Sequence, residues 1–95
     1  DTAGTIVAAC DLLKEYGADD IWVMATHAVF SPPATERLFN APVSRVIVTD
    51  TLPLESGRRF EKLEILSAAP ILASAIAAIF DDASVSTIFN GENLL

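Results

Sequence analysis

With 95 residues the chain has room for one small domain built around one core, and too little for two. Hydrophobic residues at 52% and charged ones at 20% exclude a disordered chain, and an alanine-rich apolar fraction with seven aromatics argues against a sandwich of bulky alternating strands. The net charge of −7 disfavours broad contact with nucleic acid or an anionic membrane, yet it is compatible with a small phosphorylated ligand held by N–H groups at a helix start.

Ile6, Ala9, Cys10, Leu13 and Tyr16 follow the helical period, so a first helix is expected to begin inside the opening segment Asp1-Thr2-Ala3-Gly4-Thr5 and to run to about Tyr16. Gly17 is placed to end it as the left-handed residue of a C-terminal cap. Cys10, the one cysteine, has no partner for an internal disulfide; a reduced, cytosolic thiol buried in the helix packing is the expectation. Ile21 to Ala25 is apolar at every position, as in a parallel strand covered by helices on both faces.

Residues 26–30 form the loop leaving that strand. Ser31-Pro32-Pro33 reads as an N-cap followed by proline in the first turn, which predicts a short helix from Pro33 to about Phe39. After Asn40-Ala41-Pro42, the run Arg45-Val46-Ile47-Val48-Thr49 reads as a second buried strand. Pro53, Gly57 and several charges mark residues 51–59 as a surface loop. Leu63 to Leu66 is a third strand candidate, and residues 67–80 make an alanine-rich helix with Pro70 in its first turn and an apolar face of Ile71, Leu72, Ala75, Ile76 and Ile79. In the tail, residues 81–95, only Val85, Ile88 and Phe89 are expected to pack.

The longest apolar stretch, Ile65 to Phe80, is interrupted by Ser67, Pro70 and Ser74 and is shorter than the roughly 18–20 residues a bilayer span requires. No basic start followed by an apolar run marks a signal peptide. Strands alternating with helices imply an α/β fold with an open, mainly parallel sheet and right-handed crossovers. An α/β phosphate loop ordinarily follows a strand, whereas this sequence opens on the loop itself; further residues ahead of Asp1 are expected.

The opening segment has the chemistry of an anion site. Gly4 permits close backbone approach, Thr2 and Thr5 supply hydroxyls, and the helix that follows adds unpaired N–H groups and the positive end of its dipole. The carboxylate of Asp1 suits a sugar hydroxyl rather than a phosphate. A plain helix N-cap, with Thr2 or Thr5 capping, fits the same residues. His27 lies where α/β proteins place ligands, but a single histidine without clustered carboxylates makes a poor metal site, so a structural or supporting role is expected. Asp19-Asp20 and Asp81-Asp82 read as solvated turns or caps, and Arg58, Arg59 and Lys62 as a solvated basic loop rather than a contact for an acidic neighbour or a nucleotide phosphate.

Asp1-Thr2-Ala3-Gly4-Thr5 resembles the end of the phosphoribosyl pyrophosphate motif shared by type I phosphoribosyltransferases and ribose-phosphate pyrophosphokinases. Four further segments resemble the pyrophosphokinases alone. These are Ala25-Thr26-His27-Ala28-Val29-Phe30-Ser31-Pro32-Pro33-Ala34, Val48-Thr49-Asp50-Thr51-Leu52-Pro53, Leu66-Ser67-Ala68-Ala69-Pro70-Ile71-Leu72-Ala73 and Ser84-Val85-Ser86-Thr87-Ile88-Phe89. They keep order and spacing from residue 1 to about residue 89. Ala28 and Pro32 depart from the family pattern, which has glycine at both positions, and this puts the geometry of the intervening loop in question.

The resemblance implies that residues 1–95 are the C-terminal part of a type I phosphoribosyltransferase-like domain, with an open, mainly parallel sheet flanked by helices. It implies a nucleotide-biosynthetic transferase (a ribose-phosphate diphosphokinase) that passes the diphosphate of ATP to the 1-hydroxyl of ribose 5-phosphate with Mg²⁺, giving phosphoribosyl pyrophosphate and AMP. Asp1, Thr2, Ala3, Gly4 and Thr5 are then the ribose 5-phosphate loop, and Ser84, Ser86 and Phe89 coincide with positions of a regulatory phosphate or ADP site between subunits. A cytoplasmic homo-oligomer, hexameric in the family pattern, is implied, with neither nucleic acid nor membrane as partner. The family's catalytic residues and metal ligands have no counterpart here, so the chain alone is expected to be inactive. Two alternatives stay open: a non-catalytic synthetase-associated regulatory subunit, and a type I phosphoribosyltransferase, whose base-recognition hood the sequence does not show.

Overall fold

The core forms around the most apolar strand of the sequence. In the computed structural model, which describes residues 1–89, that strand is β2 (Arg45–Thr49), with Val46 and Val48 each 1% exposed. Full burial of such a side chain contributes about 1.5–3 kcal/mol. β2 lies between β1 (Trp22–Ala25) and β3 (Leu63–Leu66) in one parallel sheet of order β1-β2-β3, with Val23 opposite Val46 and Val48 opposite Ile65. Parallel neighbours need a crossover. α2 (Ala34–Asn40) lies in the first, and in the second residues 50–62 carry only a 3₁₀ turn at Ser56–Arg58.

α1 (Gly4–Glu15) and α2 pack on the sheet face that carries Val23, Val46, Val48, Leu63 and Ile65. Cys10 from α1 and Leu38 and Ala41 from the α2 segment complete this core, as the helical spacing of Cys10 predicts. α1 ends as expected: Gly17 sits at φ 95°, the Ala18 N–H donates to Leu13 O at 3.0 Å and the Gly17 N–H to Lys14 O at 3.0 Å. This is a Schellman cap, which glycine makes without steric cost.

The other face of the sheet departs from the expectation of helices on both sides. Alternation places Trp22, Met24, Arg45, Ile47, Thr49, Glu64 and Leu66 there. Trp22 is 55% exposed, Met24 69% and Leu66 48%. Only Ile47 is buried on this face. At its start, Arg45 stacks over the Trp22 ring at 5.4 Å and pairs with Glu64 at 2.7 Å.

α3 (Ala69–Phe80) forms where predicted, with Pro70 in its first turn, but none of its residues is buried. Its expected apolar face stands open, with Ile76 at 67% and Ile79 at 66% exposure. Its main packing is against a second 3₁₀ turn, Val85–Phe89. Val85 is exposed, while Ile88 and Phe89 are half-buried. The radius of gyration, 16.5 Å, accordingly exceeds the roughly 12 Å of a compact domain of this length. The expected tail beyond Phe89 lies outside the described residues.

One local expectation is corrected. Ser31 does not cap α2 with its side chain: the helix starts at Ala34, whose N–H donates to the main-chain oxygen of Ser31 at 2.8 Å, and Pro33 occupies the N-cap position. In the loop that carries Ala28 and Pro32, whose geometry the sequence left in question, the positive φ falls on Phe30 (46°), and Ala28 packs into the core at 3% exposure.

Candidate functional site

The opening segment becomes a turn feeding directly into α1. Ala3, not Gly4, adopts the left-handed conformation (φ 64°, ψ 8°) and is the N-cap residue. Neither Thr2 nor Thr5 caps the helix, since no side chain accepts a bond there. The first intrahelical bond runs from the Val7 N–H to Ala3 O at 3.0 Å. The N–H groups of Gly4, Thr5 and Ile6 therefore precede the hydrogen-bonded ladder, as the first N–H groups of any helix do. A left-handed residue followed by right-handed ones turns successive N–H groups toward one point, a concavity that suits an anion. Asp1, Thr2, Gly4 and Thr5 are all exposed, so a ligand has access.

Asp1 and Ala3 share a largely apolar cleft with Ile6, with Val23, Met24 and Ala25 of β1, and with His27. The loop thus stands beside the C-terminal end of β1, the side on which open α/β sheets bind ligands. His27 Nδ1 lies 2.7 Å from Thr51 Oγ1, and the Thr49 and Thr51 hydroxyls donate to Thr26 O at 2.7 and 3.2 Å. This threonine cluster ties together the loops that leave β1 and β2, so the supporting role expected of His27 has a physical basis.

Arg37, a residue with no motif around it, reaches from α2 to donate from Nη1 to Thr2 O at 3.1 Å. A Cβ on Gly4 would lie 3.3 Å from the same Nη1, so glycine leaves the guanidinium room at the loop. No local pattern announces this contact across 35 residues of sequence.

The sequence matches the phosphoribosyl synthetase-associated domain family over residues 1–90. The chain belongs to that family. It is 51% identical over 92 residues to the ribose-phosphate pyrophosphokinase of Mycobacterium leprae, a match covering 97% of this chain and 28% of that protein. To the enzyme of the same name from Bifidobacterium longum it is 50% identical over 90 residues, covering 95% and 26%. The fold superposes on the crystal structure of the phosphoribosylpyrophosphate synthetase from Mycobacterium smegmatis with a TM-score of 0.82 at 48% identity, covering 87% of this chain and 28% of that one. These relatives are enzymes of one kind, and the chain spans about 28% of their length.

Within this synthetase-associated fold, Ser84 and Ser86 lie after α3 and do not line the cleft of Asp1 and Ala3. Their hydroxyls bond to each other at 2.7 Å, the Ser86 N–H donates to Ser84 Oγ at 3.3 Å, and the Thr87 hydroxyl to Ser84 O at 2.8 Å. The segment is a self-capped turn, with Phe89 half-buried behind it. The acidic pairs also act as caps and ties. Asp82, at φ 54°, closes α3 in a second Schellman motif, with the Ala83 N–H donating to Ala78 O at 2.7 Å. Asp20 accepts from Trp22 Nε1 at 3.2 Å and from the Ser44 hydroxyl.

The basic loop is less solvated than its sequence suggests. Arg58 donates to Val29 O at 3.0 Å. Lys62 donates to Phe39 O at 2.8 Å and Ala41 O at 3.0 Å, closing the carbonyl end of α2. Asp50 is a further residue that spacing alone does not reveal. Its carboxylate accepts the Ala68 N–H at 2.8 Å at the start of α3, and this bond, helped by the Ser67 hydroxyl, holds its pKa below the usual 3.8 against a smaller opposing effect of desolvation. Among the described residues no group of three or more His, Cys, Asp or Glu could hold a metal ion, and no helix is long and apolar enough to cross a membrane.

Proposed function

We propose that Asp1 to Thr5 form the ribose 5-phosphate subsite of a ribose-phosphate diphosphokinase. In that enzyme the 1-hydroxyl of ribose 5-phosphate attacks the β-phosphorus of ATP and displaces AMP. The observation that carries this reading is the left-handed turn at Ala3, followed by the unbonded N–H groups of Gly4, Thr5 and Ile6, beside a cleft that Asp1, Ala3 and Ile6 line. Three donors and the positive end of a helix dipole suit a phosphate dianion. The Thr2 and Thr5 hydroxyls add donors, and Asp1, lining the cleft, accepts a ribose hydroxyl. Anchoring the remote phosphate fixes the sugar so that its reacting hydroxyl meets ATP in line, converting binding energy into orientation.

ATP and Mg²⁺ complete the reaction, with the metal neutralising charge on the transferring phosphates. Its ligands are taken to lie largely outside this chain. The whole enzyme is taken to be a cytoplasmic homo-oligomer. Ser84, Ser86 and Phe89 are taken to contribute to a second, regulatory phosphate or ADP site between subunits.

A coupled assay for AMP release tests the reading. The full-length protein carrying this segment turns over ribose 5-phosphate and ATP, while the 95-residue chain alone shows no turnover and binds ribose 5-phosphate weakly. Turnover by the isolated chain would overturn the assignment. A full-length protein that binds ribose 5-phosphate yet releases no AMP would favour instead the non-catalytic synthetase-associated subunit.

A further inference from the structure

Accepting the ribose 5-phosphate reading of the opening loop, we infer that Arg37 is a positioning residue for that subsite, acting through the Thr2 carbonyl. Three observations meet at its guanidinium. The turn it holds is an unfavourable one: Ala3 is left-handed at φ 64°, a conformation that residues other than glycine seldom adopt unless neighbours fix it. Arg37 Nη1 donates to the carbonyl of the residue just before that turn, Thr2, at 3.1 Å. On the other side of the turn is Gly4, where any side chain would begin 3.3 Å from Nη1. A side chain at Gly4 would therefore press on the Arg37 guanidinium, which would have to give by a few tenths of an ångström.

The charge of Arg37 has the same bearing. Among the described residues it has no carboxylate within ion-pair distance, since the ion pairs there are Arg45 with Glu64 and Arg58 with Glu55. In a chain of net charge −7 this leaves a cation without an ion-pair partner beside Gly4, at the start of α1. Its hydrogen bond to Thr2 O is charge-assisted, which makes it stronger than a neutral tie. The bond also couples the loop to α2, and through α2 to the Thr26–Pro33 loop at the end of β1. Placing Ala3 correctly therefore depends on α2 as well as on α1.

Steady-state kinetics on the full-length protein carrying this segment decide the matter, with ribose 5-phosphate and ATP varied separately. Arg37→Ala is expected to raise KM for ribose 5-phosphate roughly tenfold, the effect of one lost charge-assisted bond, with kcat and KM for ATP changed less than twofold. Arg37→Lys, which keeps a charged donor, recovers most of the loss. Gly4→Ala raises the same KM in the native background and adds less in the Arg37→Ala background, because the added methyl acts by displacing the guanidinium. Melting temperatures of all variants stay close to that of the parent, since Arg37 is exposed. An unchanged KM for ribose 5-phosphate in Arg37→Ala would overturn the inference. So would a parallel rise in both KM values with a lowered melting temperature, the signature of a tie between helices only. A parent protein that neither binds nor consumes ribose 5-phosphate would bring down the functional reading itself; binding in the parent with no response to Arg37 removes only the role of Arg37.

Discussion

Asp50 shows how one carboxylate links two parts of the chain. Its hydrogen bond with the Ala68 N–H joins the end of β2 to the start of α3 and is stronger to the ionised carboxylate. The folded pKa lies below the usual 3.8, so the tie stabilises the fold above about that pH and weakens as pH falls through the lower, folded value. Asp50→Asn should therefore melt at a lower temperature than the parent at pH 7, with the difference shrinking below pH 3.8. Melting curves at pH 7 and pH 3 check this, and an equal difference at both would count against the ionised tie. Asp82 makes a separate case. It holds the left-handed position that closes α3, which glycine fills without steric strain, so Asp82→Gly should stabilise by ~0.5–1 kcal/mol in urea titrations. The opening pentapeptide was legible at this scale because its glycine, hydroxyls and helix start lie within five consecutive residues. Arg37, Asp50 and Lys62 were not, because each acts on a main-chain group at least 18 residues away.

At the scale of elements, the apolar runs predicted all three strands and three helices, with ends shifted by one or two residues. β1 begins at Trp22 rather than Ile21, and α3 at Ala69 rather than Ser67. Periodicity encodes which side chains want cover but not whether the cover belongs to the same chain. That is why β1 and α3 form as expected while Trp22, Met24, Ile76 and Ile79 remain exposed. Truncations should separate the two situations. Leu38→Ala, at a site 2% exposed, is expected to cost about 2–5 kcal/mol, whereas Leu72→Ala, at a site 58% exposed, should change the chain's stability by less than about 0.5 kcal/mol. Urea unfolding of both variants is the check, and equal costs would mean that α3 packs against the core.

Across the whole molecule, one sheet face and both α1 and α2 enclose a single core, and the opposite sheet face and α3 offer apolar surface to solvent. Trp22, Met24, Leu66, Ile71, Leu72, Ile76, Ile79 and Phe80 are all more than a third exposed. Surfaces of this kind mark contacts with further protein. The isolated chain is accordingly expected to associate with itself as concentration rises, and sedimentation across a concentration series would show it; a strict monomer throughout would contradict this. The same partial enclosure suits a chain that spans about 28% of the length of its relatives. It also agrees with an α/β reading in which the strands and helices were legible from sequence and the open surfaces were not.

The central claim concerns where a phosphorylated sugar binds. Amide NMR spectra of the ¹⁵N-labelled chain, titrated with ribose 5-phosphate and separately with ribose, test it most directly. Ribose 5-phosphate is predicted to shift the Gly4, Thr5 and Ile6 amide signals saturably and together, with ribose alone leaving them in place. Shifts confined to other residues, or equal responses to both sugars, would contradict the account.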